Sequence, residues 1–175
     1  MPDIISVIRN RRSIRKFKNK PIKGSILLRI LEAGRWAPSG LNNQPWRFLI
    51  IQDKDLQLKI SKFTKYSRII KGADSLIIVL IDTADSYNKE KDLMATGAAI
   101  QNILLEASSL GIGTCWLGEI VNQKSHVQNF LKLDSDLELL AVIALGYPIQ
   151  KSKGSRKTLR SLIVDPQPSF IKTKR

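Results

Sequence analysis

Residues 89–110 give the longest helical pattern in this sequence, and their apolar side chains surround most of the helix. They are Leu93, Met94, Ala98, Ala99, Ile100, Ile103, Leu104, Leu105 and Ala107. A helix that is apolar on more than one face must be covered by other elements on several sides. The small residues at 95–99 allow another backbone to approach closely, and we expect the same helix of a second chain there, in a homodimer.

Shorter patterns predict the other elements. Strands are predicted at 47–53, at 74–82, within GIGTCWLG (111–118) and at 137–146. Helices are predicted at 4–10 with Asp3 as cap, at 26–37 with Ser25 as cap, within 54–71 and at 124–132. The 175 residues show no internal repeat and are most simply one domain, 1–175.

Composition excludes several classes of protein. The longest apolar runs, such as 75–81 and 139–145, fall far short of the ~20 residues that a membrane-spanning helix needs, so we expect a soluble protein. The start of the chain carries an acid and lacks a basic-then-apolar export pattern, which favours a cytoplasmic location. A single cysteine, Cys115, excludes an internal disulfide, and with one histidine, His126, no metal site is expected.

The net charge of +14 is concentrated at the two ends of the chain. Residues 9–23 include eight basic and no acidic residues, and residues 151–175 include eight basic residues and one acid, Asp165. The other 135 residues together carry a charge of −1. Either the two ends are solvated basic surfaces, or both contribute to a shared anion site.

Four stretches carry the candidate chemistry: RRSIRKF (11–17), APSGLNNQPW (37–46), GIGTCWLG (111–118) and GSRKTLRSLI (154–163). Their order and separations resemble the FMN-dependent nitroreductase family along nearly the whole chain. The most specific part is Arg-Arg-Ser after the first helix, with Pro-Ser-x-x-Asn-x-Gln-Pro-Trp about 25 residues later. The resemblance implies an α+β fold of three layers, α/β/α, with a mainly antiparallel sheet flanked by helices. It also implies an intertwined homodimer that binds one FMN per subunit at the interface.

The first stretch suits the FMN phosphate, because a guanidinium presents a planar fork of donors to phosphate oxygens. Arg11, Arg12 and Arg15, with the Ser13 hydroxyl, therefore suit the phosphate and the ribityl chain. The resemblance assigns the direct contacts to Arg11, Ser13 and Arg15. It also brings Arg156, from the last stretch, back to the same phosphate.

The candidate flavin contacts in the second stretch are Pro38, Ser39, Gly40, Asn42 and Gln44. The hydroxyl and the two amides supply neutral hydrogen-bonding groups for the flavin and its ribityl hydroxyls, while the proline and the glycine let backbone lie close to the rings. The resemblance implies that this loop reaches the flavin held mainly by the other subunit. The alternative is that Asn42 and Asn43 only cap a turn, before a core strand that begins at Trp46.

The glycines of the third stretch do not form the dinucleotide-binding pattern G-x-G-x-x-G, and a strand follows them instead of a helix. The resemblance places backbone near Leu117, Gly118 and Glu119 beside flavin N5, where an amide donor can stabilise the reduced ring. No catalytic side chain is expected. Small residues that enter a strand explain this stretch equally well on sequence alone. Cys115 is interpreted as a buried hydrophobe and His126 as a surface residue.

The resemblance implies an enzyme that uses NADH or NADPH and FMN to reduce a nitroaromatic, a quinone or a similar small acceptor in two alternating stages. Other flavin chemistry stays open, namely dehalogenation, flavin fragmentation or deazaflavin-linked reduction. A nucleic-acid-binding module is less favoured, because each basic segment has only one aromatic residue, Phe17 or Phe170, and no recognition motif. Larger members of the family that the chain resembles carry an insertion after the central helix that covers the active site. Here only residues 110–118 separate this helix from the next strand, which leaves open or covered as alternatives for the pocket.

Overall fold

The computed structural model describes residues 3–150 and 152–164. The helices are α1 Ile4–Asn10, α2 Gly24–Arg35, α3 Lys54–Ile60, α4 Ser67–Gly72, α5 Lys89–Ser109 and α6 Lys124–Leu131. The strands are β1 Trp46–Ile51, β2 Ser75–Asp82, β3 Gly113–Leu117 and β4 Leu137–Gly146. Across the described residues, no helix combines the length and apolarity needed to cross a bilayer.

The four strands form one sheet in the order β1-β2-β4-β3, and each neighbouring pair is antiparallel. Trp46 of β1 lies opposite Ile81 of β2, and Thr114 of β3 lies opposite Leu145 of β4. The central strands β2 and β4 are rich in aliphatic residues and are buried along most of their length. The prediction of a mainly antiparallel sheet is confirmed in this part of the chain.

Helices cover both faces of the sheet. Helices α2 and α5 pack on one face, where Ile30 and Ile103 share a core with Ile77 of β2. Helices α3, α4 and α6 cover the opposite face, towards which Leu76 and Ile78 point because strand side chains alternate. This arrangement confirms the predicted three layers.

The longest helix, α5, is only partly covered within the chain. Asn88 caps it by accepting a hydrogen bond from the Lys91 amide at 3.1 Å. On its uncovered side, Met94 is 69% exposed, and a methyl group added at Gly97 would meet no atom within 4 Å. A contact with a second chain along this side stays a prediction.

The start of α2 differs from its prediction. The helix begins at Gly24 with Lys23 at the cap position, and no side chain caps it. The Lys23 carbonyl accepts a hydrogen bond from the Ile26 amide at 2.9 Å. Ser25 therefore already lies inside the first turn and does not occupy the cap position before it. The predicted Ser25 cap is therefore wrong. Asp3 does occupy the cap position of α1, but its side chain makes no capping hydrogen bond.

Gly113 begins β3 in close contact with Ile14. An added Cβ would lie 2.8 Å from the Ile14 Cβ, a branch point that cannot rotate away. We expect Gly113→Ala to lower the free energy of unfolding by about 1–3 kcal/mol, as urea denaturation would measure. Gly72→Ala, at the end of α4, is the control, because a Cβ there meets no atom within 4 Å. Equal stability of the two variants would contradict this packing.

Candidate functional site

Residues 11–17 follow α1 and run along the free edge of β3. Ser13 pairs with Thr114 in a parallel bridge, and the Ile14 amide donates to the Thr114 carbonyl at 2.8 Å. Phe17 then pairs with Pro148, just beyond β4. These contacts fix the backbone of the segment, and with it the direction of each basic side chain.

Two cavities adjoin this segment. Ser13 and Arg15 line a cavity of about 190 Å³ together with Lys16, Gln150 and Ser152. Arg12 lines a second cavity, of about 350 Å³, which extends to the end of α5. Arg12 and Arg15 therefore line different cavities, and Ile14 borders both.

Arg11 lies in a cluster of guanidinium groups. Partial burial lowers the pKa of Arg11, and the positive charges of Arg156 and Arg12 lower it further. The C-terminal segment also touches Arg12, since a methyl group added at Gly154 would lie 3.2 Å from Arg12 Nε. The structure thus brings basic residues from both ends of the chain together around Arg11.

This arginine cluster, formed by Arg11, Arg12 and Arg156, has no counter-charge among the described residues. No carboxylate there forms an ion pair with any of the three or with Arg15. Arg12 donates instead to the carbonyls of Arg9 (2.5 Å) and Arg11 (2.8 Å), at the end of α1. Like charges held together repel, so the cluster favours a bound anion, and a phosphate dianion matches the guanidinium donors.

The loop of residues 38–44 has a strained backbone. Leu41, Asn42 and Gln44 have φ angles of 53°, 56° and 47°, in the left-handed region that non-glycine residues rarely adopt. Ser39 Oγ accepts a hydrogen bond from the Gln44 amide at 3.0 Å, and Gln44 Nε2 donates to the Asn42 carbonyl at 3.1 Å. Ser39 and Gln44 therefore shape the loop, while the side chain of Asn42 is exposed.

The segment that follows β2 braces this loop. Gly40 lies so close to Tyr87 that an added methyl group would overlap the Tyr87 hydroxyl, whereas Pro38 is exposed. Arg47 donates to the Gln44 carbonyl at 3.1 Å, and its ion pairs with Asp82 and Asp85 tie it to the same segment. The loop is therefore supported from within the chain on the side that faces α5.

Sequence reasoning missed the partner of Asn43. Its Nδ2 donates to Oδ1 of the buried Asp92 in α5 at 2.8 Å, so Asn43 does more than cap a turn. The other part of that alternative is right, because Trp46 begins β1 and is 5% exposed. The only signal for Asp92 was an acid in the first turn of a helix, which the helix dipole ordinarily explains.

The arginine cluster and the loop lie at opposite edges of the sheet. Ser13 adjoins β3 at the row of Leu145 in β4, whereas the loop enters β1 at the row of Glu138 in β4. These rows are roughly 20 Å apart along the strand, and the four spacings from β1 through β2, β4 and β3 to the segment add about 19 Å across the sheet. The two groups are therefore too far apart to line one pocket within a single chain.

The end of β3 offers backbone but little side-chain chemistry. Leu117 is buried and Gly118 is exposed. The Glu119 carboxylate accepts a hydrogen bond from Thr64 Oγ1 at 2.5 Å and so faces the connection between α3 and α4. Among these three candidates, Gly118 presents the accessible backbone.

Cys115 and His126 lie where the sequence predicts. Cys115 is buried in β3, and burial raises the pKa of its thiol more than the nearby Arg15 charge lowers it. The thiol therefore stays protonated near neutral pH and is a poor nucleophile. His126 is exposed on α6.

A family model and individual relatives both match this chain over most of its length. The model of the nitroreductase family matches residues 8–67 and 59–147. A protein of Archaeoglobus fulgidus, whose assigned name is NADH dehydrogenase/NAD(P)H nitroreductase, is 32% identical over 151 residues, which are 85% of this chain and 87% of that protein. An iodotyrosine deiodinase of Thermotoga neapolitana is 25% identical over 173 residues, covering 85% of this chain and 90% of its own length.

Solved structures agree with the sequence comparisons. A Desulfovibrio desulfuricans protein described as a nitroreductase, crystallised in complex with FMN, superposes with a TM-score of 0.91 and 43% identity, over 94% of this chain and 97% of that one. The family match, the 32% identical relative and this fold together show that the chain belongs to the nitroreductase family.

Proposed function

We propose that this protein is an FMN-dependent oxidoreductase that uses NADH or NADPH to reduce a small acceptor such as a nitroaromatic or a quinone. The observation that carries the proposal is the arginine cluster, where Arg11 and Arg156 meet without a carboxylate partner in the described part of the chain. A phosphate dianion is the ligand that such donors suit. The 43% identical Desulfovibrio protein was crystallised with a ligand that carries one, FMN.

Several residues would hold FMN in this arrangement. Arg11, Ser13, Arg15 and Arg156 would bind the phosphate end. Arg12 is less suited, because its guanidinium already donates to two carbonyls at the end of α1. The loop would contribute its small residues and the exposed Asn42 to the ring, beside the exposed backbone at Gly118.

FMN supplies the hydride and electron transfer when it is bound, at its N5 atom. The chain's own contribution is binding and orientation. The guanidinium groups would neutralise the phosphate, and hydrogen bonds within the chain hold the loop backbone in its shape. Neither the buried, protonated thiol of Cys115 nor the exposed His126 is required as a base.

We infer that the working unit is a homodimer in which the loop of one subunit completes the site of the other. The separation of the loop from the arginine cluster within one chain supports this inference. The uncovered side of α5 around Met94 and Gly97 supplies a surface for the second chain.

Reductive dehalogenation is the second candidate reaction. The 25% identical deiodinase of Thermotoga neapolitana favours it, since it covers 85% of this chain. Release of iodide from iodotyrosine by the reduced protein would support this reaction, and its absence alongside quinone reduction would exclude it as the main activity.

The purified protein should bind FMN and oxidise NADH or NADPH faster when a quinone is added. Because donor and acceptor would use one site in turn, initial rates at several fixed quinone concentrations should give parallel double-reciprocal lines. Cys115→Ala is the control and should keep most of the activity. Intersecting lines would contradict alternate binding, and a protein without affinity for FMN would contradict the proposal as a whole.

Arg11→Ala and Arg156→Ala should each weaken FMN binding by about 1.5–3 kcal/mol, the range for a hydrogen bond to a charged group. Since both side chains would contact one phosphate, the two losses should not add in the double variant. Titration of the apo forms with FMN measures these affinities, with Arg68→Ala, an exposed arginine of α4, as the control. Wild-type affinity in both single variants would instead favour solvated basic surfaces.

Mixing two variants tests the shared site, at an FMN concentration too low to fill the weakened site of either variant alone. In a mixed dimer of Arg11→Ala and Asn42→Ala, one site would lack both groups and the other would be intact. After random re-association, half of the dimers are mixed, so about a quarter of all sites should recover. If each site were built within one chain, mixing would restore nothing above the activities of the separate variants.

A further inference from the structure

Asp92 is a buried carboxylate whose contacts lead to the loop at residues 38–44. It is 1% exposed and lies in the first turn of α5. Its Oδ1 accepts a hydrogen bond from Asn43 Nδ2 at 2.8 Å. Its Oδ2 accepts hydrogen bonds from Ser86 Oγ at 2.6 Å and from the Asn88 amide at 3.3 Å. The carboxylate thus joins α5, the segment before it and the loop.

The hydrogen bonds keep this carboxylate ionised. Burial alone would raise the pKa of Asp92, but the donors from Ser86, Asn43 and the backbone of Asn88 and Tyr87 lower it below its usual value. A buried carboxylate that is ionised and accepts several hydrogen bonds binds its donors more strongly than a neutral acceptor does. The contact with Asn43 is therefore a strong one.

Asn43 is held in the loop through its donor end. Besides its bond to Asp92, Nδ2 donates to the Asp85 carbonyl at 3.0 Å. Its Oδ1 is buried and has no hydrogen-bond partner among the described residues. The position of this amide therefore depends on what its nitrogen binds, and Asp92 is the charged one of its two acceptors.

The loop needs such an anchor because its backbone is strained. Asn43 lies between Asn42 and Gln44, which both have positive φ angles, and Leu41 has a third. Left-handed conformations of non-glycine residues persist only where their surroundings enforce them. Arg47 enforces the end of the loop at the Gln44 carbonyl, and Asn43 is the side chain that ties its middle to α5.

We propose that Asp92 is a positioning residue that acts through Asn43, holding the flavin-facing loop in its binding conformation without touching the cofactor. This role rests on the proposed FMN-dependent function. When the anchor is lost, the loop relaxes and only a fraction of the molecules keeps the competent shape, which lowers the apparent affinity for FMN in proportion. Because the loop reaches the ring instead of the phosphate, the spectrum of the bound flavin also changes.

The test compares Asp92→Asn with Asp74→Asn. Asp74 is a matched control, because its carboxylate also accepts a backbone and a side-chain hydrogen bond, from the Ile22 amide at 3.0 Å and Ser75 Oγ at 2.7 Å, but does not contact the loop. Asp92→Asn should raise the FMN dissociation constant by about 10-fold or more and alter the visible absorption and circular dichroism of the bound flavin. Asp74→Asn should lower the stability but leave both flavin readouts unchanged.

A double-mutant cycle with Asn43→Ala separates positioning from a general loss of stability. Asn43→Ala should weaken FMN binding as Asp92→Asn does, and the double variant should lose little more than either single variant. In a double variant with Asp74→Asn, the loss of FMN affinity caused by Asn43→Ala should be unchanged, because the two substitutions act independently. If Asp92→Asn does not fold, Asn43→Ala alone tests the proposal. Wild-type FMN affinity and a wild-type flavin spectrum in Asn43→Ala would then overturn it.

The other outcomes are equally decisive. Additive losses from Asn43→Ala and Asp92→Asn, or a loss confined to Asp92→Asn, would mean that Asp92 does not act through Asn43. Arg11→Ala serves as a reference, because it should weaken binding at the phosphate end without changing the spectrum. If the wild-type protein bound no FMN at all, the proposed function would fail, a result distinct from wild-type behaviour in the Asn43 and Asp92 variants.

Discussion

β2 and β4 are buried on both faces, and this burial decides where the helices and the polar segments can lie. A strand that is apolar on both sides needs a helical layer above and below it, and α2 with α5, and α3 with α4 and α6, supply these layers. Polar groups cannot face such a sheet without losing their water. The basic segment therefore lies along the outer edge of β3, and the polar loop lies before the start of β1, the strand at the other edge.

Much of the fold follows from the sequence because its strongest signals are long. The runs that become β2 and β4 are continuous and apolar, and the pattern of α5 extends over 21 residues. The prediction of these elements therefore does not depend on any single residue. Helix starts are different, because one hydrogen bond decides them. Ser25 is a good capping residue by type, yet the Lys23 carbonyl already closes the turn with the Ile26 amide. Sequence alone does not show which of several nearby groups makes the hydrogen bond that starts the helix.

In the candidate site too, the sequence predicts some features and leaves others hidden. The charge distribution indicates that the two ends are unusual, but only the resemblance to a family links Arg11 to Arg156, 145 positions away. The direction of Arg12 depends on the bridge between Ser13 and Thr114, which no local pattern reveals. The contact of Asn43 with Asp92 is hidden for another reason, since each residue has a sufficient local explanation, in a turn and in a helix start. Long-range polar contacts of this kind carry no periodic signal.

Helix α5 sets the distance between the loop at residues 38–44 and the cavity beside the basic segment. Asp92, near its beginning, holds the loop, and Ser108, near its end, lines the cavity beside the basic segment. The sixteen helical steps from Asp92 to Ser108 set a distance of about 24 Å, and one inserted residue would rotate one end of the helix relative to the other by about 100°. A change in chain length within this helix would therefore shift the loop at residues 38–44 relative to this cavity. An insertion in the turn between α6 and β4 would leave this distance unchanged, because that turn lies outside α5.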